Sequence, residues 1–200
     1  FCVGISARQF EEMEQRVRGK KIGAKKNAGE IASVHEILLG VDPSLRGTGY
    51  GLIRLGNDPP ETLDKGTIKC PPKWSRSECL VAITRTLREV VRKHQPTVCA
   101  IEGLFYAQNV KTALIMGEAR GAALAAVAEG GLEIIEIAPR KVKQSIVGYG
   151  NAQKIAVAKM VQRMLKLKDL PEPDAADALA LALTYAHLNK RFAVDPAQKI

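Results

Sequence analysis

Four carboxylates stand where they could act together. Asp42 directly follows the apolar run Ile37-Leu38-Leu39-Gly40-Val41, and Glu102 directly follows Val98-Cys99-Ala100-Ile101. Asp174 and Asp177 lie three apart in Asp-Ala-Ala-Asp-Ala-Leu-Ala-Leu-Ala-Leu, a spacing that a helix turns into one face. Each acid has a structural alternative. Asp42-Pro43 suits a strand-to-turn device. Asp174, after Pro173, suits a helix N-cap or a first-turn charge facing the helix dipole. Asp177 and Glu102 are harder to place in this way, because a lone carboxylate in an apolar setting costs several kcal/mol.

Acids that converge repel one another and need a compensating cation or must keep a proton. All-oxygen ligands favour Mg²⁺ or Mn²⁺ over zinc. The chain carries 30 Lys and Arg against 21 Asp and Glu, a net charge of +9. From Arg140 to Lys168 there are eight basic residues (Arg140, Lys141, Lys143, Lys154, Lys159, Arg163, Lys166, Lys168) and no acidic one. Such a stretch suits a polyanion, nucleic acid above all, although a solvated basic face gives the same pattern. A hard cation held by carboxylates on a basic chain points to phosphodiester chemistry. One ion would activate water and a second would stabilise the departing oxygen.

Other classes are disfavoured. No run approaches the length of apolar sequence that spans a membrane. The four cysteines (Cys2, Cys70, Cys79, Cys99) form no Cys-x-x-Cys pair, so a zinc site is not expected and a reduced, cytoplasmic protein is.

The elements that must position the acids follow from periodicity. Residues 37–41 read as a strand buried on both faces, Gly47 and Gly49 as an opening turn, and 50–55 and 61–70 as two further strands of an antiparallel meander. Ser75 and Glu78 resemble a capping box. Leu80, Ile83, Leu87, Val90 and Val91 follow at helical spacing, and Pro96 closes the helix. Residues 98–101 and 132–138 are two more buried strands. Asn109 caps a helix to about residue 129, in which Ala113, Gly117 and Gly121 form a small-residue stripe for close packing or a subunit contact. Pro139 suits the first turn of a short helix. Residues 151–167 are a helix with Ile155, Met160, Val161, Met164 and Leu165 inward, and 174–187 form the last long helix. The β-β-β-α-β-α-β-α-α-α order predicts an α/β fold, a mixed five-stranded sheet flanked by helices on both faces.

Four blocks together resemble the RuvC Holliday-junction resolvases: residues 37–51 (ILLGVDPSLRGTGYG), 100–105 (AIEGLF), 142–154 (VKQSIVGYGNAQK) and 174–180 (DAADALA). They come in the family's order across residues 37–188. The resemblance implies an RNase H-like fold, a homodimer and symmetric nicking of a four-way DNA junction. It implies Mg²⁺ (or Mn²⁺), two ions per active site, held by Asp42, Glu102, Asp174 and Asp177. Lys143 and Lys154 match basic residues that contact DNA near the scissile phosphate. Phe105 matches the aromatic of a loop that stacks on a base at the opened crossover. Tyr106 beside it suits the same role, and Arg140 and Lys141 belong to the DNA-contacting stretch. The resemblance also implies the RuvA–RuvB branch-migration complex as partner. Ser44 departs from the family's usual Gly, and Gly47 and Gly49 are expected to preserve the turn there.

Residues 1–35 are expected to be a basic N-terminal extension, either a flexible arm with six basic residues from Arg16 to Lys26 or an untranslated leader from a mis-assigned start, with Met13 one possible true start. Residues 36–188 form the expected nuclease domain and 189–200 a C-terminal tail. His187 reads as a helix-terminal histidine interacting with the dipole. Two rival functions remain: a nucleotide-using enzyme of the actin/sugar-kinase type, whose phosphate loop has a similar strand, Asp and glycine-rich hairpin, and a non-catalytic junction-binding protein.

Overall fold

The computed structural model describes residues 35–103 and 109–193, without the side chains of 190–193. The expected arm before His35, the aromatics Phe105 and Tyr106, and residues 194–200 of the expected tail lie outside the described residues.

Five strands form one mixed sheet in the order β3-β2-β1-β4-β5. Strands β1 (Ile37–Asp42), β2 (Gly47–Arg54) and β3 (Glu61–Lys69) are the antiparallel meander; β4 (Val98–Glu102) and β5 (Glu133–Ile137) pair in parallel, β4 beside β1. The chain runs outward from β1 on one side and then from β4 on the other. The carboxyl ends of β1 and β4 therefore meet at a topological switch point, the place where open α/β sheets bind ligands.

The two-residue period of the strands sorts side chains between two cores. Leu39, Val41, Cys99 and Ile101 point to helices α1 (Arg76–His94) and α2 (Val110–Glu129). Leu38, Val98 and Ala100 point to the opposite layer, formed by α3 (Pro139–Val147), α4 (Lys154–Met164) and α5 (Pro173–Ala193). By the same alternation Asp42 and Glu102 belong to the α5 side.

The α1 capping box is complete: the Ser75 hydroxyl accepts from Glu78 N–H, and the Glu78 carboxylate accepts from Ser75 N–H at 2.7 Å. No described helix is long and apolar enough to cross a membrane.

Several expectations are corrected. Gly47 and Gly49 lie within β2, paired with Lys69 and Thr67, and the turn is made by residues 43–46. Thr48 closes it: its hydroxyl donates to Ser44 O at 2.6 Å and accepts from Ser44 N–H at 3.2 Å. The described non-glycine residues with left-handed φ are Gln95 and Lys166, so the turn does not demand glycine at position 44. Helix α4 starts at Lys154 rather than 151; its buried face is Val157, Ala158 and Val161, and Ile155 is 49% exposed. Helix α5 continues to Ala193, so His187 is not terminal; its Nδ1 meets Ser145 Oγ at 3.2 Å.

Candidate active site

Helix α5 is buried almost all round, from Ala175 to Ala186, as a helix lying directly on a sheet must be. Glycines make this approach possible. A methyl group at Gly40 would sit 1.9 Å from Ala178 O, and one at Gly49 would sit 1.9 Å from Asp174 O. Gly49 is also the strand partner of Asp42. The start of α5, with Asp174 in its first turn, is thereby pressed against the end of β1. Asp177 follows one turn later on the same face. Glu102 ends β4 one residue beyond the Val41–Ile101 pair. Three separate stretches of chain thus bring the four acids to one end of the sheet.

Their electrostatics show how close they are. The Asp42 and Glu102 carboxyls share a hydrogen bond. Burial pushes Asp42 up to about 7, the negative charges of Glu102 and Asp177 add to the rise, and the Lys154 ammonium opposes it. Glu102 is also raised, chiefly by burial; Asp177 adds to this, while the bond to Asp42 and the charges of Lys154 and Lys143 oppose it. Two carboxyls this close cannot both ionise freely, which is why both are raised. Asp174 is raised by burial as well, with Lys154 opposing and Asp177 reinforcing. Lys154 Nζ donates to Asp177 Oδ2 at 2.7 Å, and this bond raises the lysine.

A cavity of about 50 Å³ opens beside these groups, lined by Glu102, Pro139, Val142, Lys143, Lys154, Val157, Asp177 and Leu181. That is room for a few water-sized ligands. Among the described residues no three Asp, Glu, His or Cys side chains could hold one ion between them as placed. Asp177 is instead occupied by the Lys154 ammonium, while Asp42 and Glu102 lie against each other with both carboxyls raised. The donor set nevertheless fits a hard divalent cation: every donor is a carboxylate oxygen, and the nearby lysines leave three of the four carboxyls raised.

Of the basic residues singled out by sequence, Lys143 and Lys154 reach this cleft. Arg140 and Lys141 do not line it. Arg140 packs against Gly150, where a methyl group would meet its Cγ at 2.6 Å, and Lys141 borders a separate cavity of about 540 Å³ with Gln144, Ser145 and His187. A methyl group at Gly117 or Gly121 of α2 would meet nothing within 4 Å, so open space lies over both glycines. Sequence reasoning missed Thr48 and Arg120. Arg120 donates to Glu102 O and to Glu136 Oε1. A charged residue within an alanine-rich helix was the available signal for it.

A family model described as crossover junction endodeoxyribonuclease RuvC matches residues 38–185. The chain is 44% identical over 159 residues to a protein of that description from Akkermansia muciniphila, which covers 80% of this chain and 92% of the relative. It is 46% identical over 154 residues to another from Marinobacter nauticus, covering 77% and 87%. In three dimensions it is similar to T. thermophilus RuvC solved in complex with a Holliday junction substrate, with TM-score 0.73 and 32% identity over 79% of this chain and 97% of that one. The yeast mitochondrial Holliday junction resolvase, with TM-score 0.53 and 12% identity over 78% and 85%, shares the fold alone. The sheet and its flanking helices are the RNase H-like arrangement.

Proposed function

The chain belongs to the RuvC family of crossover junction endodeoxyribonucleases, and from that premise we propose how it resolves Holliday junctions. It is a phosphodiester hydrolase of DNA recombination and repair. The cleft at the ends of β1 and β4 is the active site in this reading, and Asp42, Glu102, Asp174 and Asp177 are its acids. The observation that carries it is the half-buried Asp42–Glu102 pair, both carboxyls raised, within the field of Asp177 and Lys154.

Mg²⁺ is the ion assigned to this site, with Mn²⁺ as a substitute and two ions per site; the four carboxylates would hold them. When bound, such ions make a nearby water more acidic and take up charge developing on the leaving 3′-oxygen. The side chains do the rest. Asp42 and Glu102 must both be ionised before both can act as ligands, so ion binding is tied to pH. Lys154 keeps Asp177 in place. Together with Lys143 it faces the cleft and holds a backbone phosphate there, which orients the scissile bond. Arg140 and Lys141, exposed on the same helix as Lys143, extend the basic track along a DNA arm. Phe105 and Tyr106 stack on bases at the opened crossover; their place just after Glu102 in the chain supports this.

A homodimer is part of the proposal. Val110 and Leu114 on α2 are 77% and 62% exposed, next to the uncovered Gly117 and Gly121, and this face suits a second copy. Two such sites would nick opposed strands symmetrically. The RuvA–RuvB complex as partner and the cytoplasm as compartment belong to the same reading; family membership supports the first, and the buried free thiols of Cys70, Cys79 and Cys99 support the second.

The test is incubation with a synthetic four-way junction beside linear duplex, with and without Mg²⁺. Paired symmetric nicks confined to the junction and dependent on the ion are expected. Equal nicking of the duplex, or nicking without added metal, contradicts the proposal.

A further inference from the structure

Glu102 sits where the sheet gives out. Ile101 is paired on both sides, with Val41 and Glu136, whereas Glu102 is paired only with Ile137. Just beyond, Gly103 N–H donates to Ile137 O at 2.9 Å. A carboxylate at a strand end needs more than one edge to hold its direction. The second hold comes from α2: Arg120 Nη1 donates to the Glu102 carbonyl, and Nη2 of the same guanidinium donates to Glu136 Oε1 on β5.

Arg120 is 6% exposed and is the one charged residue buried among those described. Packing does not explain it. Its helix covers the sheet with Ala119, Ala123, Ala126 and Val127, and an apolar side chain of similar length would fill the space with no charge to desolvate. A planar fork that meets two acceptors at fixed angles is what arginine supplies and lysine does not.

We infer that Arg120 is a positioning residue for strand cleavage, clamping the end of β4 to α2 and β5 so that the Glu102 carboxylate stays against Asp42. The inference rests on the reading of Glu102 as a site acid. Arg120 itself touches neither the cleft nor the DNA and acts through the backbone of Glu102. Partners of this outer kind are worth about 10–100-fold in activity or metal affinity.

The experiment uses the full chain. Arg120→Met, Arg120→Lys and the double variant Arg120→Met/Glu136→Met are compared with wild type. Four quantities are measured: single-turnover junction cleavage, the Mg²⁺ concentration for half-maximal rate, Mn²⁺ affinity by calorimetry, and metal-free junction affinity. Arg120→Met is expected to slow cleavage about 10–100-fold and to weaken Mn²⁺ binding, with metal-free junction affinity unchanged. The double variant leaves no uncompensated charge behind and shows the same loss. Arg120→Lys reaches one acceptor and recovers part of it. Where the methionine variants do not fold, the lysine variant decides: partial loss with a raised Mg²⁺ midpoint supports the inference. Wild-type rate and Mn²⁺ affinity in any folded Arg120 variant overturn it. Glu102→Gln separates the two readings. If it cleaves normally, the site assignment fails; if it is inactive while the Arg120 variants are normal, only the clamp fails.

Discussion

The two faces of the sheet are packed by different means. Toward α1 and α2 the core is interlocked side chains: Leu39, Val41 and Leu52 of the sheet against Ile83, Leu87, Ala119 and Ala123 of the helices. Toward α5 the sheet presents Gly40, Gly49 and Gly51, and the helix lies on bare backbone. A side-chain core can give by small rotamer changes when one member is trimmed. A backbone contact cannot, because the atoms in it belong to the elements themselves. Both faces supply stability, since Leu38, Ile53, Val98 and Ala100 also bury against the layer that holds α5. The second fixes the separation between the end of β1 and the start of α5, and with it the place of the acids.

Variants on each face sharpen that contrast. The largest effect is expected at the acids: Asp177→Asn lowers cleavage by about 10³-fold or more in single-turnover assays while gel-shift affinity for the junction stays near wild type. Cleavage at the wild-type rate breaks the site assignment. Gly49→Ala comes next, since its methyl would meet Asp174 O at 1.9 Å. Displacement of α5 by an ångström costs about 10²-fold in rate per folded molecule. On the other face Leu87→Ala, from a fully buried position, costs about 2–5 kcal/mol in denaturant unfolding and leaves the rate per folded molecule unchanged. If the two variants cannot be told apart by rate and stability, the contrast is wrong.

A pH profile adds a third check. Asp42 is raised to about 7, above its ordinary value of 3.8. Between those values the folded state holds a proton that the unfolded state has lost, so the metal-free protein loses stability as pH rises through that window. Asp42→Asn removes the share of this dependence due to Asp42, leaving those of Glu102 and Asp174, and is the more stable protein at pH 8, read by thermal unfolding in chelator. A flat wild-type profile argues against the buried pair. The smallest effect is at Lys143: Lys143→Ala lowers the slope of log affinity against log salt by about one phosphate contact. An unchanged slope removes Lys143 from the DNA track.

Much of this was legible in the sequence because it is local. The run 37–41, the meander, and the Ser75–Glu78 box follow from alternation and short-range hydrogen bonding, and all are present. The acids were visible because charged residues in apolar runs are costly. What was not legible is contact between distant segments. Gly47 and Gly49 resemble turn residues by type, but they are strand residues whose missing side chains admit α5. The stop of α5 is not encoded in its apolar run, so the helix outlasts the expected end at 187 and His187 becomes an interior position. Ile155 lies about a third of a turn round the helix from Val161, at the edge of the face that Val157, Ala158 and Val161 bury, so its apolar type alone misleads. The Arg120 clamp joins residues 18 apart through a backbone carbonyl, which no side-chain pattern records.

In the proposed reaction half-buried acids trade a proton for a divalent ion. Calorimetric titration with Mn²⁺ at pH 6 and pH 8, on wild type and Asp42→Asn, tests this most directly. Wild type should bind more tightly at pH 8 and release a proton on binding at pH 6, and the variant should lose both the affinity and the release. Equal Mn²⁺ affinity in the variant, or binding by wild type with no proton released at pH 6, would contradict it.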